Sequence, residues 1–333
     1  MELQVHTANK TYPIYIERGA LSRAAELIGT DRVFLISDDG VPAKWRDSLQ
    51  AQFPNAAMHV IPQGEGSKNF AVFQEVLAHM LEEHLSRKDT VVALGGGVVG
   101  DLAGFCAASY MRGIGYVNIP TTMLAMVDSS IGGKTAIDFQ GIKNCVGAFW
   151  QPDKVIVDPE VLSTLSPRLL HEGLAEAVKM GLTHDAELFS LFERDDYMDH
   201  IDEIIERSLR VKQGVVERDE REGGERRLLN FGHTYGHAYE SYHGLNRWLH
   251  GECVAMGMMT VVKNPALKER LRAVLERLEL PLECECDKEE ICRLVQSDKK
   301  ADHGTVTIVQ VDEPGHGYTE QWDTDMVRKG IGL

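Results

Sequence analysis

Two histidines four residues apart, His233 and His237 of NFGHTYGHAYE, are a natural first candidate for chemistry in this chain. The stretch reads as the start of a helix, where residues i and i+4 share one face, one turn apart. Such a pair could ligate a metal. The zinc helix of this spacing carries a glutamate after its first histidine, H-E-x-x-H, and here Thr234 holds that place. The chain is therefore not a zincin, and two helical histidines alone are more often hydrogen-bonded boundary residues than ligands.

A second candidate is VVALGGGVVGDLAGF, which supplies strand, glycine turn and helix in that order. Gly95, Gly97 and Gly100 satisfy G-x-G-x-x-G, and glycines here let backbone N–H groups approach a pyrophosphate at a helix N-terminus. A dinucleotide fingerprint normally opens the first βαβ unit and is followed about 20 residues on by a ribose-binding acid. This loop lies deep in the chain and GYVNIPTT offers no acid, so a plain Rossmann dehydrogenase is disfavoured. A tight turn without a ligand stays open as a reading. Asp38 and Asp39 of LISDDGVP, and Glu65 and Lys68 of PQGEGSKNF, also follow strands, and together these loops look like a dinucleotide cleft.

The third candidate is RGIGYVNIPTTMLAMVDSSIGGKTAIDFQGIKNCVGAFWQP, where Asp128, Lys134, Lys143 and Asn144 are interspersed with glycines and apolar residues. Lysines in such a setting are costly to desolvate without anionic partners. Phosphate or carboxylate would suit them, against the plainer reading of a surface loop.

These residues need elements to position them. The 333 residues suffice for one large or two medium domains. LQVHT and YPIYIE read as strands at a sheet edge, RVFLIS and TVVAL as buried parallel strands, and FAVFQEVLAHMLEEHL as a helix between them. This is an α/β pattern. After KVIVD the chain turns Leu-, Ala- and Glu-rich with helical periodicity from about Pro167 to about Leu278, and GTVTIVQV is a lone strand signal. We expect an α/β nucleotide-binding domain over 1–152, a mainly helical domain over 153–333, and a cleft between them.

Lys plus Arg number 35 against 51 Asp plus Glu, a formal charge of −16. An acidic surface disfavours nucleic acid and anionic membranes as partners, so an anionic ligand needs a local basic pocket. No apolar run approaches the roughly 18 residues of a membrane helix. Six scattered cysteines and the absence of a basic-then-apolar leader in MELQVHTANKTYPIYIERG point to a reduced, cytoplasmic protein.

Eight motifs, GEGSK, GGGVVGDLAGF, YMRGI, IPTTMLAMVDSSIGGKTAID, KNCVGAFWQP, GLAEAVKMGL, DEREGGERRLLNFGHTYGHAYE and LHGECVAMGM, together resemble the 3-dehydroquinate synthase family of sugar phosphate cyclases. The resemblance implies one divalent metal, zinc first and cobalt second, held by Glu176, His233 and His250, with His237 as a catalytic or phosphate-side group. For NAD it implies Asp38, Glu65, Lys68, Gly97, Val98, Val99, Gly100, Asp101, Thr121, Thr122, Lys134, Lys143 and Thr164. For substrate and catalysis it implies Asp128, Lys134, Lys143, Asn144, Lys179, Lys212, Arg226 and His237, with Lys299 or Lys300 of SDKK. Arg112 of YMRGI resembles an arginine offered across a homodimer interface to the neighbouring substrate phosphate. The implied reaction converts 3-deoxy-D-arabino-heptulosonate 7-phosphate to 3-dehydroquinate and phosphate with transient NAD reduction, a step of aromatic amino acid biosynthesis by the shikimate pathway.

Three features depart from the pattern. The link from Gly257 to Leu278 looks short, Asp138 stands where asparagine is frequent, and ECEC (283–286) matches no motif, its cysteines reading as a reduced strand pair rather than a second metal site. The rival functions are another sugar phosphate cyclase, a metal-dependent glycerol or alcohol dehydrogenase, which has no use for the phosphate-binding cations, and a catalytically dead binding protein.

Overall fold

Runs rich in valine, isoleucine and leucine become the central strands of the first half. VFLISD forms β3 (Val33–Asp38), buried along its whole length, and TVVALG forms β5 (Thr90–Gly95). Strands buried on both faces read as continuous apolar runs rather than alternating ones, as parallel sheets require. The computed structural model describes residues 1–244, 247–298 and 305–333, and the chain divides into two units, Met1–Ser166 and Pro167–Leu333.

The first unit is built on a seven-stranded sheet of order β1-β2-β9-β6-β5-β3-β4. Its other members are β1 (Glu2–His6), β2 (Thr11–Ile16), β4 (Met58–Ile61), β6 (Gly115–Pro120) and β9 (Lys154–Val157). The β1–β2 pair is antiparallel and lies at the edge, as expected; the remaining pairings are parallel. Strand β9 pairs with both β2 and β6, so the expected boundary at residue 152 would cut a strand from its sheet. The boundary falls after Ser166 instead.

Helices α1 (Ala24–Ile28), α2 (Ala43–Gln50), α3 (Phe70–Glu82) and α4 (Gly97–Ser109) connect the strands. Helix α3 starts where the Asn69 side chain accepts the Val72 N–H. Helix α4 packs on β5 and β6, and its Val99, Leu102 and Cys106 join Phe34, Ile36, Val91 and Ala93 in one core. Each large side chain buried there contributes about 1.5–3 kcal/mol. The stretch after β6 was read as an interspersed polar run. It forms a hairpin, β7 (Lys134–Phe139) and β8 (Ile142–Phe149), with an irregular register between Ile137 and Phe139.

The second unit contains α5 (Pro167–Thr183), α6 (Ala186–Phe192), α7 (Ile201–Arg218), α8 (His233–His243), α9 (His250–Val261), α10 (Pro265–Arg277), α11 (Lys288–Asp298) and α12 (Thr324–Gly330). The expected lone strand β10 (Val306–Val311) has a partner, β11 (Gly317–Trp322), whose exposed and polar positions hid its strand character. Across the link read as short, α9 and α10 are joined through Val262–Asn264, with Asn264 capping α10. Residues 281–286 form neither strand nor helix, so the expected cysteine strand pair is corrected: Pro281 supplies no donor, and Cys286 Sγ instead donates to the Cys284 carbonyl at 3.4 Å. Among the described residues no helix is long and apolar enough to cross a membrane.

Candidate metal and nucleotide sites

Helices α8 and α9 approach closely because Gly257 has no side chain: a Cβ there would lie 1.9 Å from the Gly232 carbonyl oxygen. Gly232 itself, at φ 79°, precedes α8. His233 and His250 are the first residues of α8 and α9; α9 packs on both α8 and α5. A Cβ on Gly251 would fall 1.8 Å from the Glu172 carbonyl oxygen, so α5 and the start of α9 also demand glycine at their contact.

The result is a cluster of the buried Glu176 with the half-buried His233 and His250, one ligand atom from each lying within 4.8 Å of the others. Glu176 is fully buried and its Oε1 has no hydrogen-bond donor. The Nε2 atoms of His233 and His250 each stand 3.6 Å from that oxygen, too far for a hydrogen bond. His233 donates Nδ1–H to the Phe231 carbonyl at 3.2 Å, and His250 donates Nδ1–H to Glu240 Oε1 at 2.8 Å. His233, held neutral, therefore turns its Nε2 lone pair on the carboxylate oxygen, acceptor against acceptor, while the Nε2 of His250 carries a proton at the place a cation would take. Donors shared by one tetrahedral zinc sit about 3.4 Å apart, given bonds of about 2.0–2.1 Å. The residues fit a divalent cation.

Electrostatics agree with that fit. Burial, then the nearby Lys179 ammonium, pushes His233 well below the usual imidazole range. Burial would also lower His250, but the Glu176 and Glu240 carboxylates overcome it and raise this group to about 10. Burial would raise Glu176; Lys179 and His233 instead hold it well below the ordinary carboxylate range. Lys179, buried on α5, touches the other oxygen, Glu176 Oε2. A cation on the cluster would displace the proton that the carboxylates stabilise on His250.

Other groups fasten the cluster from behind. Glu172 is pushed up to about 7 by burial and accepts the Gly251 N–H at 3.1 Å. Glu252 accepts the Leu249 N–H at 2.7 Å and pairs bidentately with Arg168 at 2.6 and 2.8 Å. None of these four, Glu240, Glu172, Glu252 and Arg168, was singled out from the sequence. Glu240 had a visible signal, since it lies seven residues after His233 and so on the same helical face.

The remaining predicted residues of this unit divide by burial. His237 is half-buried, its ring 5.4 Å from that of His233 and 6.0 Å from that of His250, and it forms a second donor group with Glu240 and His250. Lys212 and Arg226 are buried. Asp219 accepts the N–H groups of Gly223, Gly224 and Arg226 at 2.8, 2.7 and 2.9 Å, which sets the glycine turn, and Arg226 Nη1 donates to the Glu220 carbonyl at 2.6 Å. Helix α5 packs on α7, which carries Lys212, and on the turn that carries Arg226. Lys299 and Lys300 lie outside the described residues.

In the first unit the nucleotide candidates sit on loops after parallel strands. Asp38 ends β3 and accepts the Gly40 and Val41 N–H groups at 2.9 and 3.0 Å, with burial raising its pKa. Lys68 is buried and ties its own turn to α4, its Nζ 2.7 Å from Asp101 and 3.5 Å from Glu65. Although burial opposes it, Asp101 and Glu65 raise the Lys68 pKa and keep it charged. Gly97 opens α4, which continues through Val98, Val99, Gly100 and Asp101. The Thr121 N–H donates to the Gly95 carbonyl at 2.9 Å, and Thr122 Oγ1 accepts the Ala125 N–H at 3.2 Å. Thr164 ends a 3-10 turn and accepts from Trp45 Nε1 at 2.8 Å.

Asp128 is half-buried in a π-helical turn, Ala125–Ser129. Asn144 stands at φ 54° and donates its backbone N–H to Asp138 at 2.7 Å. Lys134 and Lys143 are exposed on the hairpin, so the desolvation cost read from their apolar surroundings does not apply: Lys134 opens β7, and β8 is exposed from Ile142 to Cys145. Arg112 is exposed at φ 68° in the turn Tyr110–Arg112.

Comparison with known proteins first defines the class. The 2-epi-5-epi-valiolone synthase of Streptomyces hygroscopicus subsp. jinggangensis, solved with NAD+ and Zn2+ bound, superimposes with a TM-score of 0.87 at 26% identity, covering 96% of this chain and 95% of that one. The fold is thus that of the sugar phosphate cyclases, an α/β domain joined to a helical one. Models of the 3-dehydroquinate synthase N-terminal and C-terminal domains match residues 58–172 and 173–301. The 3-dehydroquinate synthase of Methylacidiphilum infernorum is 41% identical over 338 residues, covering 96% of this chain and 94% of the relative. That of Clostridium acetobutylicum is 38% identical over 340 residues, covering 96% of each. The chain belongs to the 3-dehydroquinate synthase family.

Proposed function

We propose that this protein is a phosphorus–oxygen lyase that converts 3-deoxy-D-arabino-heptulosonate 7-phosphate to 3-dehydroquinate and phosphate. The observation that carries the reading is the buried Glu176 oxygen faced by two imidazole nitrogens at 3.6 Å, inside a chain related over nearly its full length to 3-dehydroquinate synthases.

Glu176, His233 and His250 would hold one divalent cation, for which a Glu/His/His set with open positions suits zinc, with cobalt as the alternative. Such a cation supplies polarisation of substrate hydroxyl and carbonyl oxygens. NAD, held by Asp38, Glu65, Lys68, the turn from Gly97 to Asp101, Thr121, Thr122, Lys134, Lys143 and Thr164, supplies a reversible hydride acceptor that ends the cycle as it began.

The chain's own residues do the rest. Lys179, Lys212 and Arg226 bring fixed positive charge to a dianionic substrate that the overall charge of −16 would repel. Buried cations of this kind also stabilise enolate and alkoxide charge as it develops. His237, Asp128, Lys134, Lys143 and Asn144 orient the sugar hydroxyls and carboxylate, together with Lys299 or Lys300. Transient oxidation acidifies the neighbouring C–H, phosphate leaves by elimination and carries off the proton, and after re-reduction the opened ring closes by an intramolecular aldol addition. We further propose a cytoplasmic homodimer in which the exposed Arg112 serves the substrate phosphate of the other subunit.

The test is phosphate release from the heptulosonate phosphate with catalytic NAD, before and after chelation. Stoichiometric phosphate without net NADH supports the reading. Net NADH from a polyol, with no phosphate released, would replace it with a dehydrogenase.

A further inference from the structure

His250 is held differently from His233. The His233 ring leans on a backbone carbonyl, Phe231 O at 3.2 Å, whereas His250 leans on a carboxylate, Glu240 Oε1 at 2.8 Å. Glu240 lies on α8, seven residues after His233, so one helix face supplies both a ligand and the support for the ligand on α9. Its carboxylate is buried, 9% exposed, so its charge depends on protein donors rather than water.

We propose that Glu240 is a positioning residue for the metal centre, fixing His250 as the Nδ1–H tautomer and aiming its Nε2 at Glu176 Oε1. The proposal rests on the metal reading above. A carboxylate behind a ligating imidazole sets the ring's orientation and increases the basicity of the coordinating nitrogen. The tautomer follows from chemistry: an ionised carboxylate only accepts, so the nitrogen 2.8 Å away keeps its proton, and Nε2 is the nitrogen that would give up its proton to a cation.

A competing reading exists on the same residues, because His237, Glu240 and His250 also place one ligand atom each within 4.8 Å of one another. As a second cation seat this group would make Glu240 a ligand. The geometry decides against it. The 2.8 Å contact is a direct hydrogen bond, shorter than the about 3.4 Å that two donors of one tetrahedral cation keep, whereas the 3.6 Å contacts around Glu176 are long enough to admit one.

The experiment uses the full-length apoprotein titrated with Zn2+ against a chromophoric chelator and, separately, with Co2+ followed by visible absorption. Glu240→Leu should weaken zinc binding about 10- to 100-fold and change the cobalt spectrum. Glu240→Gln keeps an acceptor but loses the charge, and should fall between Leu and wild type, which guards against a mere packing defect. Apo Glu240→Gln should keep the wild-type far-UV circular dichroism spectrum. Wild-type zinc affinity and an unchanged cobalt spectrum in both variants would overturn the proposal. So would two zinc ions per wild-type chain, one of them lost in Glu240→Gln, because Glu240 would then be a ligand. Glu176→Gln is the control: if it binds zinc like wild type, the metal reading fails, whatever Glu240 does.

Discussion

The two units prepare their chemistry in opposite ways. In the first, candidate groups sit on loops at the carboxyl ends of parallel strands, held by backbone hydrogen bonds such as Thr121 N–H to Gly95 and the two N–H groups on Asp38. In the second, the metal candidates sit on α5, α8 and α9, and side chains fasten two of them, Glu240 behind His250 and Lys179 beside Glu176. A loop that offers backbone N–H groups tolerates changes in most of its side chains but needs glycine. A side-chain cluster tolerates almost none. Damage to the second unit should therefore be more severe and more local than damage to the first.

The largest expected effect follows directly. His233→Ala and Glu176→Ala should abolish stoichiometric metal and lower turnover by at least about a thousandfold, since metal polarisation provides several kcal/mol; elemental analysis and the phosphate assay check both. His237→Ala should keep its metal and still lose turnover. A protein stripped of metal by that change would place His237 among the ligands.

Next come two substitutions that set the units against each other. Arg226→Ala removes a buried guanidinium and should cost about 2–5 kcal/mol in kcat/KM for the sugar phosphate while leaving the Kd for NAD unchanged. Lys68→Met, which unties Asp101 from Glu65, should weaken NAD binding and leave metal content at wild-type level. Calorimetric titration of each variant with NAD gives the answer. If Arg226→Ala weakens NAD as much as substrate, the division of labour between the units fails.

A smaller effect tests Arg112. Inactive Arg112→Ala chains mixed with inactive Glu176→Ala chains should regain activity toward about a quarter of wild type when half the dimers are mixed, because one of the two sites is then complete. No recovery after exchange is verified by mass would remove Arg112 from the partner's site.

The smallest effect is on stability. His184, at the end of α5, donates Nδ1–H to Thr183 Oγ1 at 2.7 Å and is held neutral chiefly by burial, its pKa lowered to about 4. The sign follows from linkage: a depressed folded value gives stability that is present above the ordinary 6.5 and is lost as the pH falls toward about 4. The loss attributable to His184 is at most about 3 kcal/mol. Urea unfolding at several pH values should show His184→Gln losing less stability than wild type over that window.

Much of this was legible in the sequence, for reasons that differ between the units. Buried parallel strands declare themselves as apolar runs, and the glycine turn before α4 is local, so β3, β5 and the GGG loop could be read directly. The metal cluster could not be assembled from spacing, because α5, α8 and α9 bring together residues far apart in the chain, and the one visible spacing, His233 with His237, reaches only one member of the Glu176 cluster. Only resemblance across several motifs joined Glu176 to His250. What stayed hidden was either long-range or polar: β11, whose outward positions break the apolar pattern, the hairpin that carries Lys134 and Lys143 to solvent, and the pairing of Arg168 with Glu252 across 84 residues.

The most direct test of the central claim is metal-dependent phosphate release. Purified protein, supplied with the heptulosonate phosphate and catalytic NAD, should release one phosphate per substrate without accumulating NADH, lose this activity on chelation, and regain it with Zn2+ or Co2+ in wild type but not in Glu176→Ala. Undiminished phosphate release by a fully chelated enzyme, or by Glu176→Ala, would contradict the account.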